Sequence, residues 1–228
     1  PTLSLKKRGG KFTPLLFLKS LPIGRQGGWE ELSIVYMLNK IVFDLETQKS
    51  FDEVGGRNKN HLLKVSVAVA YVYSENKFLV FEEKNVHKLG EILQEADQVI
   101  GYNIVSFDYE VLRPYLHFNP TTLPTLDLLV EVEKVLGHRV GLDSVASATL
   151  AASKLASGMD AIKFWRTGQK DKLKEYCVED VRLTRDIYEY ARANGKLFYK
   201  DFFTRKEFKI SLPDAIERQN KHRQNSLF

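Results

Sequence analysis

The chain has 228 residues, of which 43% are hydrophobic and 28% charged, and its formal net charge is +5. This composition is typical of a globular protein and excludes a disordered or collagen-like chain, and the length allows one α/β domain or two small ones. A single cysteine, Cys177, excludes an intramolecular disulfide and a thiolate-rich zinc site. No apolar run reaches the roughly 20 residues that span a bilayer, so we expect no membrane association.

The charge is unevenly distributed along the chain. Residues 1–36 carry +4, residues 37–204 carry −2 and residues 205–228 carry +3. A mild basic excess is compatible with nucleic acid but is weak evidence by itself. We expect the two basic ends to add nonspecific attraction for phosphate.

The first 36 residues differ from the rest of the chain, because glycine and proline are scattered through them without a sustained period. A basic stretch at 6–8 precedes the apolar run 15–18, which imitates a signal peptide, but Lys19 interrupts that run and no small-residue cleavage site follows. We therefore predict a reducing, cytoplasmic location. We predict a poorly ordered basic extension over 1–36, one domain over 37–212, and a basic polar tail over 213–228.

Hydrophobic spacing predicts an α/β domain with a central mixed sheet that begins with three antiparallel strands and is flanked by helices. Glycines at 137, 168 and 195 follow helical patterns and are typical of helix ends. The predicted strands are 41–43, 62–73, 77–82 and 99–100, with later strand-like pieces at 197–203 and 207–212. The predicted helices are 86–95, 106–116, 126–136, 142–150, 161–165 and 170–193.

Two carboxylates, Asp44 and Glu46, follow the first predicted strand of the domain. Alternation along an extended chain places residues i and i+2 on one face, so both side chains can point to the same place. Like charges held together repel, and a divalent cation is the simplest remedy. The pair therefore predicts a metal site at the end of this strand.

Two further carboxylates occur on predicted helices. Asp108 opens the helix that follows 99–100, where a helix N-terminus alone also favours a carboxylate. Asp180 lies four residues after Tyr176 in the long helix, so the two share a face that Cys177 places toward the core. A buried carboxylate needs a partner, either a cation or a hydrogen-bonding side chain.

The order and spacing of these residues resemble the three motifs of the DEDD superfamily of 3′→5′ exonucleases, which have a ribonuclease H-like fold. Tyr176 four residues before Asp180 matches the tyrosine subtype, whereas the histidine subtype would need histidine at the position of Glu175. Segments 141–146, 161–165 and 176–181 are similar to bacterial ribonuclease H-like domains that are sometimes fused to helicases and are related to the proofreading domains of family-B DNA polymerases. The resemblance covers about residues 38–212.

The resemblance implies hydrolysis of phosphodiester bonds in DNA or RNA by two divalent cations, Mg²⁺ or Mn²⁺. It implies that Asp44 bridges both ions, that Glu46 and Asp180 complete the site where water is activated, and that Asp108 holds the second ion. It implies that Tyr176 orients the attacking water. Cleavage from the 3′ end of a single strand also comes from the resemblance, as does a helicase or other repair protein as partner.

Three residues are candidates for substrate binding, each with a structural alternative. Asn103 either caps a turn or hydrogen-bonds the terminal nucleotide, and Phe107 either packs in the core or stacks on a base. Arg57, in a loop that begins with Gly55-Gly56, either contacts phosphates or is simply solvated. We interpret Asp127 and Asp143 as capping or surface residues.

Alternatives to an active exonuclease remain. The chain could be a noncatalytic module that binds nucleic acid or a partner within a larger repair or helicase complex. It could be a proofreading domain cut from a polymerase, or an α/β protein whose carboxylates occur together by chance. The presence of all four carboxylates and the tyrosine favours the active enzyme.

Overall fold

A computed structural model describes residues 16–18, 34–36, 38–151, 158–202 and 204–213. Strands β1 (Leu16–Leu18) and β2 (Ile34–Tyr36) pair in antiparallel fashion. Most of the predicted extension over 1–36 and of the tail over 213–228 lies outside the described residues. The domain boundaries at both ends therefore stay predictions.

A five-stranded mixed sheet forms the centre of the domain, in the order β5-β4-β3-β6-β7. Strands β3, β4 and β5 are antiparallel, whereas β3, β6 and β7 run parallel. The prediction of a mixed sheet that starts with three antiparallel strands is therefore confirmed. The strands are β3 (Lys40–Thr47), β4 (Val65–Val72), β5 (Lys77–Glu82), β6 (Gln98–Gly101) and β7 (Thr125–Asp127).

The sheet is covered on both faces, because its strands carry apolar side chains on both faces. Every residue of β4 is buried, and its side chains alternate between two cores: Val67 and Val69 belong to one, Ala68 and Ala70 to the other. A strand buried on both sides has no polar face, which explains the nearly continuous run of valine and alanine.

Seven α-helices surround the sheet within the described residues. The long helix α7 packs against β3 and β4 on the Val67 side, whereas α2 and α3 contribute to the core on the other side. The helices are α1 (Phe51–Val54), α2 (His87–Gln94), α3 (Asp108–Leu112), α4 (Leu128–Leu136), α5 (Leu142–Leu150), α6 (Gly158–Arg166) and α7 (Lys170–Asn194). Strands β8 (Lys196–Asp201) and β9 (Thr204–Lys209) form a separate antiparallel hairpin.

Three predictions of secondary structure were wrong in detail. Residues 126 and 127, predicted as the start of a helix over 126–136, belong instead to the edge strand β7, and α4 begins at Leu128. Helix α3 ends at Leu112 instead of 116, because Pro114 lacks the amide hydrogen that would continue it, and 113–115 form a 3₁₀ turn. The loop predicted around Gly55-Gly56 is preceded by the short helix α1 and continues into a 3₁₀ stretch over Arg57–Leu62.

Among the described residues, no helix is both long enough and apolar enough to cross a bilayer.

Candidate functional site

Asp44 and Glu46 lie within β3, not after it as the sequence predicted. They are half-buried and alternate with buried Phe43 and Leu45, so both carboxylates lie on one face of the strand. In the register with β4, Asp44 is opposite Val69 and Glu46 is opposite Val67. The expected pairing of these two side chains on one face is thus present, inside a rigid central strand.

Strand β3 extends beyond its parallel neighbour β6, since their pairing ends at Val42 opposite Ile100. The Lys40 carbonyl accepts a hydrogen bond from Tyr73 N, so the backbone groups of Lys40 face β4. Backbone groups of successive residues face opposite neighbours in a strand, so every second amide along β3 points toward β6. The Leu45 amide is one of these, and it donates to Asp108 Oδ1 at 3.2 Å. The first residue of α3 therefore supplies the acceptor that a longer β6 would have given.

Asp180 and Tyr176 come from one face of α7 and are 4% and 2% exposed. Their side chains share a hydrogen bond. One carboxylate oxygen from each of Asp44, Glu46 and Asp180 lies within 4.8 Å of the others. The central strand and the long helix thus bring three of the four predicted metal ligands together, and Asp108 lies outside that group of three.

Negative charge dominates the electrostatics of this region. Burial, and then the charge of Asp44, raises the pKa of Asp108 well above its ordinary range. Burial likewise raises the pKa of Tyr176, and Glu46 and Asp180 raise it further. The pKa of Cys177, whose thiol lies 3.6 Å from Asp44 O, is raised for the same reasons. The site disfavours additional negative charge and is suited to a cation.

The donor set fits a hard divalent cation. Asp44, Glu46 and Asp180 offer only carboxylate oxygens, which are the ligands that Mg²⁺ and Mn²⁺ prefer over softer metals. A cation among them would offset their mutual repulsion. The negative charge of the same carboxylates contributes to the raised pKa values of Tyr176 and Cys177. Asp108 could hold a second cation together with Asp44, because the two carboxylates are close enough to perturb each other.

The predicted substrate-binding residues fall into two places. Asn103 adopts a positive φ of 73°, and its Oδ1 accepts from Ser106 Oγ at 2.6 Å and from the Arg139 guanidinium. Phe107 and Arg57 instead meet around one ring, Phe51. The Phe107 ring packs edge-on at 5.9 Å between centroids, and the exposed Arg57 guanidinium lies 4.9 Å from the Phe51 centroid.

Asp127 makes more hydrogen bonds than the predicted capping role requires. Capping was correct, because Asp127 Oδ1 accepts from Leu129 N at the start of α4. The same carboxylate also accepts from the Asn103 and Val105 amides, and Asp127 is only 4% exposed. Asp127 therefore fixes the loop that leads to Asp108. The only feature of the sequence that could have indicated this role was the place of Asp127 between a short apolar run and a helix. Asp143, in the first turn of α5, is exposed as predicted.

Comparison with known proteins supports the fold. The model of the RNase H superfamily matches residues 41–192. A solved structure of the family B DNA polymerase from the hyperthermophilic archaeon Pyrobaculum calidifontis is similar, with a TM-score of 0.53 and 18% identity; the match covers 78% of this chain and 29% of the polymerase chain. No curated protein sequence gives a significant match.

The matched region includes the five-stranded sheet except its first residue, Lys40, and all three clustered carboxylates, and it ends within α7. The predicted ribonuclease H-like fold is therefore confirmed, and the chain belongs to the RNase H superfamily.

Proposed function

We propose that this protein is a metal-dependent 3′→5′ exonuclease of the tyrosine DEDD subtype. The observation that carries the proposal is the convergence of Asp44, Glu46 and Asp180 beside the Tyr176 hydroxyl. Family membership supports nuclease chemistry in general. The subtype and the direction of cleavage rest on the motif order in the sequence.

The carboxylates would hold two divalent cations, Mg²⁺ or Mn²⁺. When bound, such ions supply an activated water and neutralise charge on the phosphate and the leaving oxygen. In this assignment Asp44 would contribute to both cation sites. Glu46 and Asp180 would complete the first site, and Asp108 would complete the second. The rigid β3 and α7 fix three of these side chains before substrate binds, which lowers the cost of organising the site.

Tyr176 orients the attacking water by hydrogen bonding. Its raised pKa keeps the phenol protonated at neutral pH, so it does not act as a base. Its hydrogen bond with Asp180 places the hydroxyl at the edge of the carboxylate group. The proton from water is then left to a carboxylate or to solvent.

Substrate identity and partners are part of the proposal. A nuclease takes nucleic acid, and we propose a single-stranded 3′ end of DNA or RNA. Asn103, Phe107 and Arg57 remain the candidates for contacts to the terminal nucleotides. A helicase or another repair protein remains the proposed partner.

The decisive experiment uses matched DNA and RNA single strands, labelled at each end in turn, with Mg²⁺ or Mn²⁺. We expect release of mononucleotides from the 3′ end and no release when the metal is chelated. The double variant Asp44→Asn/Asp180→Asn should lose this activity, because amides keep the shape but remove two anionic ligands.

The exposed Asp143→Asn variant is the matched control, since it removes a carboxylate away from the group of three, and it should cleave as the wild type does. Equal cleavage by wild type and the double variant would exclude the proposed enzyme. It would then leave the noncatalytic binding module as the better description.

A further inference from the structure

We propose that the basic surface formed by residues 163–174, from the end of α6 to the start of α7, holds the nucleic-acid strand leading into the carboxylate site. The proposal deepens the proposed function and rests on it in taking that site as the end point of the strand. The carboxylates repel phosphates, so a strand that reaches them needs positive charge nearby.

The segment 163–174 is the most basic short stretch of the central part of the chain. Residues 163–174 contain five basic residues and one acidic residue, whereas residues 37–204 together carry −2. Four of the five cations are exposed and Lys174 is half-buried. The five are Lys163, Arg166, Lys170, Lys172 and Lys174.

The sheet places this basic surface beside the metal site. Glu46, Val67 and Glu82 lie opposite one another across β3, β4 and β5, so their side chains share one face. Adjacent strands are about 4.8 Å apart, which puts the backbone of Glu82 roughly 10 Å from that of Glu46. Lys174 Nζ lies 3.2 Å and Lys170 Nζ 3.7 Å from the Glu82 carboxylate.

The other end of the surface reaches the segment after β3. Helix α6 packs against β3, and Arg166 at its last residue forms an ion pair with Glu53 in α1. The basic surface thus extends from a helix just beyond Asp44 and Glu46 to the edge strand β5. A strand lying along it passes beside the three carboxylates.

The cations are held in place but remain available to phosphate. Lys170 Nζ is 5.7 Å from the Trp165 centroid and Lys172 Nζ is 6.0 Å from the Phe164 centroid, so aromatic rings support both side chains. The carboxylates that pair with this surface are Glu53, the partner of Arg166, and Glu82, the partner of Lys170 and Lys174. Both are accessible to solvent, where ion pairs contribute little. A phosphate can therefore replace either carboxylate at low cost.

The test compares two variants with the same loss of charge. The first replaces Lys163, Lys170, Lys172 and Lys174 by glutamine. The control replaces Lys196, Lys200, Lys206 and Lys209 of the β8–β9 hairpin by glutamine, and two of these lysines also form ion pairs. Binding of a labelled 20-nucleotide oligothymidine is measured by fluorescence anisotropy in EDTA, over a range of NaCl concentrations.

We expect the first variant to bind at least about tenfold more weakly than wild type at low salt. The slope of log K against log[NaCl] should become about 2–3 less negative, as the loss of four phosphate contacts on a single strand requires. The control should bind as wild type does. Unchanged binding by the first variant, or equal weakening of both variants, would overturn the inference.

Cleavage assays separate this inference from the proposed function. With Mn²⁺, the first variant should show a raised KM on the 20-nucleotide strand and an unchanged kcat on a dinucleotide, which has no phosphate beyond the scissile one to contact the lysines. If the wild type binds through this surface but cleaves neither substrate, the exonuclease proposal fails while the binding surface stands. If the wild type cleaves and the first variant keeps its KM, the surface is wrong and the exonuclease stands.

Discussion

The Asp108 side chain is buried beside another carboxylate and also accepts a hydrogen bond from the Leu45 backbone amide. Its raised pKa means that the folded protein binds a proton more tightly there than the unfolded chain does. Stability from this group is therefore fully present below the unfolded pKa, about 3.9, and is lost as the pH rises through the higher folded value.

We expect Asp108→Asn to remove this pH dependence in the absence of metal. Urea unfolding in EDTA between pH 4 and 8 should show the stability of wild type, relative to the variant, falling as the pH rises. Asparagine keeps an acceptor for Leu45 N but cannot ionise. Asp143→Asn should follow wild type, and parallel curves for wild type and Asp108→Asn would contradict the assignment.

Tyr176→Phe tests the role of the hydroxyl separately from that of the ring. The ring packs in the core, so the fold should survive, but the water would lose a hydrogen-bonding partner. We expect kcat to fall by about 100-fold with little change in KM. Because burial raises the pKa of Tyr176, the wild-type kcat measured in Mg²⁺ should show no loss from tyrosine ionisation up to about pH 9, which is below the ordinary tyrosine value. A loss of rate in that range that is absent from the variant would contradict a role for the protonated phenol.

At this scale the sequence was informative where local geometry decides the outcome. Alternation was sufficient to place Asp44 and Glu46 on one face, and a spacing of four was sufficient for Tyr176 and Asp180. The roles of Asp127 could not be predicted, since they depend on a loop that returns from β6.

Among the elements, the loop between β6 and α3 depends on one carboxylate. Asp127→Ala would remove the acceptor for two loop amides and for the α4 cap, all at a buried position. We expect a loss of about 2–4 kcal/mol in the free energy of unfolding, measured by urea denaturation. Asp143→Ala, an exposed first-turn carboxylate, should change it by no more than about 0.5 kcal/mol. A loss for Asp127→Ala as small as that of this control would show that the loop is held by other contacts.

Element identity was predictable where the pattern was long, and less so where elements are short. Helix α5 and strand β5 match their predicted bounds, and α7 does so within one residue. Strand β7 has only three residues, and its pairing with β6 rather than its own sequence defines it. Such short strands depend on a neighbour that is distant along the chain, which periodicity does not reveal.

For the molecule as a whole, a clustered acidic site predicts that a divalent cation stabilises the fold. A cation at about 100 times its dissociation constant adds about 2.7 kcal/mol, which corresponds to a rise of about 5–10 °C in Tm for a domain of this size. We expect this rise with Mn²⁺ in thermal denaturation. It should be absent in Asp44→Asn/Asp180→Asn and retained in Asp143→Asn. An equal rise in the double variant would place the bound ion elsewhere.

The charge of the whole chain suggested nucleic-acid binding only weakly, because the net value averages over opposing regions. The fold separates them: negative charge gathers on β3 and around Asp180 in the middle of α7, and positive charge gathers on residues 163–174, from the end of α6 to the start of α7. The sequence shows the basic run but not its neighbour, since the contacts of Lys170 and Lys174 with Glu82 join segments that are far apart in the chain.

The early end of β6 has a practical consequence for making inactive protein. Since the Asp108 carboxylate stands in for a missing strand, alanine at that position would damage the sheet and the chemistry at once, and its inactivity would be uninterpretable. Asparagine removes the negative charge but keeps the hydrogen-bond acceptor, so Asp108→Asn is the better variant for trapping an uncleaved strand. For the same reason, a descendant that had lost catalysis would still be under selection to keep a hydrogen-bond acceptor at position 108, while positions 44, 46 and 180 drifted.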